Sequence, residues 1–362
     1  MKAILAGGGT SGHIHPAVAI ADELKKQDPS NEVLFCGTEK GMEAQIIPSM
    51  GYPYQVIRAA QLPMKISKKT FHAVKEFLAG RKMCRELIRK EKPDVVIGTG
   101  GFVCSPLIAA AHKEKVPILL HEQNAFPGRS NRLMSRYAKT VCTSFKGIEH
   151  YFNKKAKVVF TGNPIRSVFA DVDRKACRER LGLAEDDILI LAMGGSLGAK
   201  TVNESMVALA RVLNDPKVRI ILSVGKQRYK EVSEEAGNWP KSIQVFEYIQ
   251  DPEVYMAAAD LFVGRAGAIT CAEIQAVGVP SVLIPSPYAA QDHQTYNART
   301  FEDGKAGILL PDDQAVEKLP GIVKELLCDK ERLAEMRENA LALAIYDASR
   351  RICDEVKILA RR

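Results

Sequence analysis

The amino-acid sequence predicts an α/β protein of two doubly wound domains, each built on a parallel sheet. Short β-rich runs alternate with helix-length segments along the chain, which is typical of βαβ units. The pattern restarts after the turn residues Gly162-Asn163-Pro164, and a glycine-rich loop follows a predicted strand in each half. A chain of 362 residues also suits about two domains. We therefore predict a Rossmann-like domain over 1–163 and a second over 164–341, with a helix over 342–362 packing back on the first.

The first half contains six predicted strands separated by helical segments. The strands are Lys2–Ala6, Val33–Cys36, Val95–Gly98, Ile118–His121, Thr140–Thr143 and Val158–Phe160. The longer helical segments are Ala17–Lys26 and Ala73–Lys90. Successive strands joined by helices form right-handed crossovers, which place the strands in one parallel sheet.

The second half repeats this alternation. Its predicted strands are Ile188–Met193, Val218–Val224, Gln244–Tyr248, Leu261–Val263 and Ser281–Ile284. Its predicted helices are Asn203–Leu213, Pro252–Ala258 and Ala268–Val277, and helical character resumes from Glu317 to Arg362. The two halves are therefore predicted to share one domain type.

The net charge of +8 is unevenly distributed along the chain. Residues 1–163 hold 25 Lys and Arg against 13 Asp and Glu, a net of +12, whereas the remainder holds 26 against 30. This asymmetry indicates an anionic partner for the first half: nucleic acid, acidic lipid or a phosphorylated substrate. No recognition motif supports nucleic acid. No run approaches the roughly 18 to 20 apolar residues of a membrane-spanning helix, and eight scattered cysteines favour free thiols in a reducing cytoplasm.

The first predicted strand leads into the loop Gly7-Gly8-Gly9-Thr10-Ser11-Gly12-His13, ahead of a helix predicted to open at Pro16. Glycines let the backbone pass close to a ligand, and amides at a helix N-terminus stabilise anions. The spacing also fits the GxGxxG pattern of a dinucleotide site, for which Glu39 is the nearest acid after the second strand. A tight turn without any ligand is the structural alternative.

The second half has two such loops, each between a predicted strand and a predicted helix. One is Gly194-Gly195-Ser196-Leu197-Gly198-Ala199, in which Ser196 can cap the helix and donate to a phosphate oxygen. The other, Gly264–Thr270, precedes the helix that bears Glu273. Two loops at strand C-terminal ends predict that the second domain holds the nucleotide.

Five motifs in a fixed order carry a resemblance to a known family. They are Gly8-Gly9-Thr10-Ser11-Gly12-His13, His121-Glu122-Gln123-Asn124, Gly162-Asn163-Pro164-Ile165-Arg166, Gly194–Ala199, and Gly267-Ala268-Ile269-Thr270 through Glu273. On these motifs the chain strongly resembles the MurG family of bacterial cell-wall glycosyltransferases, in glycosyltransferase family 28. The resemblance implies a GT-B fold with the active site in the cleft between two Rossmann-like domains. It also implies inverting transfer of GlcNAc from UDP-GlcNAc to the MurNAc 4-hydroxyl of undecaprenyl-diphosphate-linked MurNAc-peptide (lipid I), giving lipid II for peptidoglycan synthesis.

The resemblance further implies where the donor UDP-GlcNAc binds. Arg166 and the backbone of Ile249 are expected to meet the uracil, and Glu273 is expected to accept from the ribose hydroxyls. Ser196 and the amides of Ala268-Ile269-Thr270 are expected to hold the diphosphate, and Gln294 is expected to contact the sugar hydroxyls. Both Arg166 and Glu273 have an ordinary surface role as their alternative. The implied donor contacts are Thr10, Ser11, Gly12 and Asn124 in the first domain, and Arg166, Ser196, Ile249, Ala268, Ile269, Thr270, Glu273 and Gln294 in the second.

The acceptor hydroxyl needs a base to remove its proton as the new C–O bond forms. His13 is the first candidate, because it follows the glycine loop and imidazole titrates near neutral pH. Glu122 is the rival, although it could equally orient a loop through backbone hydrogen bonds. Loop amides and helix N-termini can stabilise the charge on departing UDP, so no metal or other cofactor is expected. Asp171-Val172-Asp173 spells a metal-binding DxD, but Asp173 is better interpreted as a helix N-cap.

The segment over residues 65–90 places an apolar stripe among cations at helical spacing. This pattern suits an interfacial helix on anionic lipid, and an amphipathic core helix is the alternative. The charge of the first half and the lipid-linked acceptor favour peripheral attachment to the cytoplasmic face of the cell membrane. The predicted membrane patch comprises Lys68, Lys69, Phe71, Val74, Lys75, Phe77, Leu78, Arg81 and Lys82.

Three other functions fit parts of the sequence. A UDP-GlcNAc 2-epimerase would share the fold and the donor but would need neither a lipid acceptor nor a basic apolar surface. A dehydrogenase would use one glycine loop as a dinucleotide site, and the loops of the second half argue against it. A non-catalytic binder would hold UDP-GlcNAc without turnover.

Overall fold

Two units divide the chain, each built on its own parallel sheet. The computed structural model describes residues 1–361 except 64, 66, 196–197, 214, 226–227 and 237–242. One unit comprises Met1–Ile165 together with Asp347–Arg362, and the other comprises Arg166–Tyr346. The sequence had placed the first boundary after residue 163 and the second after residue 341.

The first unit is built on a seven-stranded parallel sheet in the order β3-β2-β1-β4-β5-β6-β7. Five of the predicted strands extend by one or two residues at one or both ends, and Tyr54–Val56 is an additional edge strand that was not predicted. It escaped prediction because only three residues pair and two of them are exposed. The strands are β1 Lys2–Gly7, β2 Glu32–Gly37, β3 Tyr54–Val56, β4 Val95–Gly100, β5 Ile118–Glu122, β6 Thr140–Thr143 and β7 Lys157–Phe160.

Helices cover both faces of this sheet. Along β1, Ala3 and Leu5 pack into one buried layer and Ile4 and Ala6 into the other, as the two-residue period of a strand requires. The first layer contains α1 and the C-terminal helix, and the second contains α3 and α4. The helices are α1 Ser11–Gln27, α2 Glu43–Ser49, α3 Lys68–Glu91, α4 Cys104–Lys113, α5 Arg129–Met134 and, at the end of the chain, α14 Ala348–Ala360.

Helix α1 begins five residues earlier than predicted. Pro16 lies inside the helix rather than at its opening, and Thr10 is the N-cap. The missing proline N–H removes one backbone hydrogen bond, to Gly12 O, close to the N-terminus of a helix that continues to Gln27. The prediction was therefore wrong at this end, and the correction places Ser11, Gly12 and His13 in the first turn of the helix.

The second unit has a six-stranded parallel sheet in the order β10-β9-β8-β11-β12-β13. Its last strand lies at the edge of the sheet and was not predicted, since only one of its three residues is fully buried. The strands are β8 Ile188–Met193, β9 Val218–Ser223, β10 Ile243–Phe246, β11 Leu261–Gly264, β12 Ser281–Leu283 and β13 Gly307–Leu309. The helices are α6 Arg174–Arg180, α7 Lys200–Val212, α8 Tyr229–Ala236, α9 Pro252–Ala258, α10 Ala268–Val277, α11 His293–Asp303, α12 Ala315–Cys328 and α13 Lys330–Ala342.

The helical region predicted from Glu317 onward is three helices rather than one. The first break is at Asp329, whose side chain accepts from Arg332 N at 2.9 Å and so caps α13. Only α14 packs in the first unit, where Glu355 pairs with Lys157 of β7 at 2.6 Å. Within the described residues, no helix is long and apolar enough to cross a membrane.

Candidate active site

The glycine-rich loop between β1 and α1 is closely packed against its surroundings. A Cβ on Gly7 would come within 3.0 Å of the Thr99 side chain, and one on Gly8 within 3.0 Å of the Glu43 carboxylate. Gly9 has a φ of +83°, which disfavours any L side chain. These three positions therefore require glycine for packing or backbone conformation.

Glu43 is a fully buried carboxylate that holds this loop in place. One oxygen accepts from Gly9 N at 3.2 Å, and the other accepts from the amide and hydroxyl of Thr38 at 3.2 and 2.6 Å. The carboxylate thus joins the glycine loop to the end of β2. No local pattern predicts this role, because Glu43 lies 34 residues from Gly9 and belongs to no motif.

A second glycine loop follows β4 and touches the first. Gly100 and Gly101 have φ values of +108° and +79°. A Cβ on Gly101 would come within 3.0 Å of Gly8 O, and one on Gly100 would lie 2.8 Å from His13 Nδ1. This loop was not predicted, although the run Gly98-Thr99-Gly100-Gly101 between a strand and a helix was a usable signal.

His13 lies in the first turn of α1, half-buried beside the second glycine loop. Its Nδ1 is 3.1 Å from Gln123 Oε1. Gln123 Nε2 in turn lies 2.9 Å from Nδ1 of His121, whose Nε2 is 3.1 Å from Gly162 O. Burial lowers the pKa of His121 to about 4, so this ring is neutral at physiological pH. The structure thus brings the predicted His13 together with two residues of the His121–Asn124 motif.

Glu122 is buried and its carboxylate accepts four hydrogen bonds. Asn124 donates through its backbone and side-chain nitrogens at 3.0 and 3.2 Å, Gly128 N donates at 3.1 Å, and Asn131 Nδ2 donates at 2.9 Å. These donors span residues 124 to 131, so the carboxylate organises the loop that leads into α5. This arrangement supports the loop-orienting interpretation of Glu122 over its use as a base.

In the second unit, the loop after β8 also depends on glycine. A Cβ on Gly194 would come within 3.0 Å of Ala199 N, and Gly195 and Gly198 have φ values of +83° and +77°. Gly198 N donates to Gly195 O at 2.9 Å, which closes the turn. Ser196, the predicted phosphate contact, lies outside the described residues.

Helix α10 begins at the loop after β11 with Gly267 as its N-cap. Ala268, Ile269 and Thr270 form its first turn, where backbone N–H groups have no carbonyl of the same helix to bond. A ten-residue helix carries the positive end of its dipole at this point. The predicted diphosphate contacts therefore share one helix end.

Arg265 precedes this helix and is occupied by the protein itself. It forms an ion pair with Asp312 and donates to the carbonyl oxygens of Ile284 and Pro285 at 3.0 and 3.1 Å. The Arg265 side chain thus links the segment after β12 to Asp312.

Glu273 and Arg166 lie in one electrostatic cluster with Glu253. Burial raises the pKa of Glu273 to about 7, partly opposed by the Arg166 guanidinium and reinforced by Glu253. Arg166 Nη2 is 2.8 Å from Glu253 Oε2, and its side chain remains about half exposed. The two predicted nucleoside contacts are therefore electrostatically coupled within one unit.

The segment before α11 carries backbone strain. Gln291 and Asp292 have φ values of +58° and +56°, a left-handed conformation that is costly for non-glycine residues. Gln294 follows them, and its Oε1 accepts from Ser286 N at 2.9 Å, which leaves its NH2 group facing away from that bond. The predicted uracil contact at Ile249 concerns its backbone, and the side chain itself is buried.

The sequence matches the model of the glycosyltransferase family 28 N-terminal domain over residues 3–143 and that of the family 28 C-terminal domain over residues 189–352. The chain belongs to glycosyltransferase family 28. It is 42% identical to the UDP-N-acetylglucosamine--N-acetylmuramyl-(pentapeptide) pyrophosphoryl-undecaprenol N-acetylglucosamine transferase of Acetivibrio thermocellus, covering 99% of this chain and 98% of that protein. It is also 42% identical to the protein of the same name from Caldanaerobacter subterraneus, covering 99% and 100%.

Solved structures agree with the family 28 assignment. The crystal structure of Acinetobacter baumannii MurG superposes with a TM-score of 0.80 at 30% identity, covering 98% of this chain and 99% of that one. UDP-GlcNAc 2-epimerase from Neisseria meningitidis superposes with a TM-score of 0.69 at 13% identity, covering 98% and 99%, a likeness of fold alone. The predicted GT-B fold class and the prediction of a glycosyltransferase are confirmed, and the epimerase alternative is not favoured.

In this family 28 chain, the DxD sequence has a structural role at its second aspartate. Asp173 caps α6 by accepting from Ala176 N at 2.7 Å, as the N-cap interpretation predicted.

Helix α3 has two apolar faces. Ala73, Gly80 and Cys84 are buried, and Gly80 sits so close to Arg58 that no Cβ would fit between them. The predicted stripe lies on the opposite side, with Phe71 76%, Val74 47% and Leu78 49% exposed, while Phe77 is half-buried. Eight Lys and Arg against three Glu make the helix strongly cationic. Most of the stripe is thus additional to the face that packs in the core.

The contact between the two glycine loops yields a test of packing. Replacing Gly101 by Ala forces a Cβ against Gly8 O and adds an unfavourable φ, so we expect a loss of about 2 to 5 kcal/mol in stability. Gly147→Ala is the matched control, because Gly147 has a φ of +80° and open space around it, and should cost about 1 to 2 kcal/mol. The denaturation midpoints of the two variants measure the difference, and equal midpoints would contradict the packing argument.

Proposed function

We propose that this chain transfers GlcNAc from UDP-GlcNAc to the MurNAc 4-hydroxyl of undecaprenyl-diphosphate-linked MurNAc-peptide, converting lipid I to lipid II. The observation that carries the proposal is the 42% identity over 99% of the chain to relatives named for that transfer. The acceptor is therefore a membrane lipid, and the products are lipid II and UDP.

The second unit is proposed to hold the donor. The N-terminal turn of α10 offers backbone N–H groups and a positive dipole end to the diphosphate, and the glycine loop after β8 lets the backbone approach it. The Arg166 and Glu273 cluster is proposed to receive the nucleoside, and Gln294 the sugar. The same amides would stabilise the charge that develops on UDP as it leaves, so the proposed step needs only groups of the chain.

The first unit is proposed to supply the base and the acceptor-side contacts. His13 sits beside two touching glycine loops, and a hydrogen-bonded partner fixes its ring. Glu122 is proposed to shape the loop carrying Asn124, since its carboxylate already accepts four hydrogen bonds. Thr10, Ser11 and Gly12, at the start of α1, are proposed to approach the donor.

The exposed stripe on α3 is proposed to place the enzyme peripherally on the cytoplasmic face of the cell membrane. Phe71, Val74 and Leu78 would enter the acyl boundary while the surrounding cations meet anionic headgroups. This surface belongs to the same unit as His13, which suits an acceptor that is itself anchored in lipid.

The proposed transfer and its base are tested together. Purified protein, UDP-GlcNAc and a lipid I analogue should give disaccharide-lipid and UDP, and His13→Ala should lower kcat by about 10² to 10⁴-fold while the protein stays folded. Glu122→Gln should instead lower the denaturation midpoint, because its buried donors lose acceptors at about 1 to 3 kcal/mol each. Free epimerised sugar without disaccharide-lipid would reject the transfer, and near-normal turnover in His13→Ala would reject His13 as the base.

The raised pKa of Glu273 predicts a pH dependence of donor binding. A carboxylate accepts from ribose hydroxyls better than a carboxylic acid does, so affinity for UDP-GlcNAc should rise as pH increases through about 7, from pH 6 to pH 8. A charge-assisted hydrogen bond of about 1.5 kcal/mol corresponds to roughly a tenfold change. Calorimetric titration of the native protein and Glu273→Gln provides the measurement. The variant should show a flatter profile, and an equally steep one would exclude Glu273 as its source.

Membrane attachment predicts sensitivity to the stripe and to salt. Phe71→Ser combined with Leu78→Ser should weaken binding to anionic phosphatidylglycerol vesicles at least about tenfold, since burying one such side chain contributes about 1.5 kcal/mol or more. Val212→Ser is the matched control, because Val212 is 47% exposed on a helix of the other unit. High salt should weaken binding further. Vesicle sedimentation unaffected by both the double substitution and salt would contradict the proposal.

A further inference from the structure

A chain of three hydrogen bonds leads from the backbone at Gly162 to His13. His121 Nε2 contacts Gly162 O at 3.1 Å, Gln123 Nε2 contacts His121 Nδ1 at 2.9 Å, and His13 Nδ1 contacts Gln123 Oε1 at 3.1 Å. His121 and Gln123 are each at most 1% exposed, so water cannot readily replace either of them. Gln123, the third residue of the motif His121–Asn124, is therefore the one that contacts His13.

The direction of the Gln123 amide is determined by a backbone group. Gln123 Nε2 also lies 3.1 Å from His121 O, which can only accept a hydrogen bond. The end of the amide that faces His121 must therefore be the NH2 group, and the end that faces His13 must be the carbonyl oxygen. A carbonyl oxygen can only accept, so His13 Nδ1 must carry a hydrogen.

The tautomer of His121 is consistent with this assignment. Its Nε2 faces Gly162 O and must be the protonated nitrogen, and burial keeps the ring neutral. Its Nδ1 therefore has a lone pair, which accepts the second N–H of the Gln123 amide. Every donor in the chain meets an acceptor, so reversing any one member would place two like groups against each other.

We infer that Gln123 is a positioning residue that holds His13 as the Nδ1–H tautomer, so that Nε2 is the nitrogen that accepts the proton. Gly100 contributes by leaving room for the ring, since a Cβ there would lie 2.8 Å from His13 Nδ1. The partner is a neutral amide, so it orients the ring through a hydrogen bond and adds no charge beside it. The tautomer follows from geometry alone, whereas its use in catalysis rests on the proposed function.

In the proposed step, the acceptor 4-oxygen forms a bond to the anomeric carbon while the bond from that carbon to the UDP oxygen breaks. The electron pair of the broken bond leaves with UDP, and the hydroxyl proton passes to His13 Nε2. The imidazolium that forms still donates from Nδ1 to Gln123 Oε1, so the chain of three hydrogen bonds is unchanged during the transfer. The proton is later released to water.

Nitrogen NMR of histidine-labelled protein tests the tautomer without any turnover. The His13 signal is identified by its loss in His13→Ala, and the other six histidines serve as internal references. Native protein should show His13 as Nδ1–H, whereas Gln123→Met, which keeps the length but removes both polar atoms, should let it shift toward the Nε2–H form. An Nε2–H tautomer in the native protein, or an unchanged one in Gln123→Met, would overturn the inference.

Kinetics then test whether the tautomer matters for transfer. Gln123→Met should lower kcat by about 10 to 100-fold, part of what a positioned base contributes, and should move the acidic limb of the pH profile, while KM for UDP-GlcNAc stays unchanged. Asn31→Leu is the matched control, because Asn31 is a buried amide that donates to Leu24 O at 2.7 Å away from this chain. Equal losses of kcat in both variants, with no change in pH profile, would reduce Gln123 to a structural role.

The two experiments separate failure of the inference from failure of the proposed function. If His13→Ala turns over normally while NMR shows the Nδ1–H tautomer, the base assignment fails and the positioning by Gln123 stands. If His13→Ala is inactive while Gln123→Met keeps the tautomer and the pH profile, the base stands and the positioning role is rejected.

Discussion

The first unit depends on the close approach of two glycine loops at the carboxyl ends of adjacent strands. Gly101 packs so near Gly8 O that no side chain fits. The residue before it, Gly100, lies against the His13 ring. Since β1 and β4 are neighbours in the sheet, both loops emerge at the same edge. The position of His13, and hence of any chemistry it performs, is therefore a consequence of strand order together with the absence of a few Cβ atoms.

Buried carboxylates stabilise these loops rather than act in isolation. Glu43 accepts from Gly9 and Thr38, and Glu122 accepts from donors between Asn124 and Asn131. A buried charge is tolerated when hydrogen bonds satisfy its oxygens, and backbone donors are fixed by the fold. In the first unit, Glu43 and Glu122 therefore hold loops in place, whereas His13 is held by the neutral amide of Gln123.

The sequence predicted what depends on local pattern and missed what depends on distant contacts. Alternating strands and helices predicted the fold class, and the strand Thr140–Thr143 was placed at its observed limits. The edge strands Tyr54–Val56 and Gly307–Leu309 carry too few residues for a period to be visible. Pro16 misled because its local preference is to open a helix, whereas packing of Ile14 and Ala17 extends the helix around it. The role of Gln123 arises across 110 residues of chain, which no local pattern encodes.

Helix α3 has a buried side that packs in the first unit and a separate apolar stripe that is exposed to solvent. Its buried side, including Ala73 and Cys84, anchors it to the sheet, so the helix does not need a lipid surface in order to fold. Phe71, Val74 and Leu78 take no part in this buried side and are exposed to solvent among cations. An exposed apolar stripe adds nothing to the packing of this unit, so it is available for the membrane contact that we propose. Because α3 and the helix α1 that carries His13 pack on opposite faces of one sheet, binding at the proposed surface would fix the orientation of the histidine relative to the membrane.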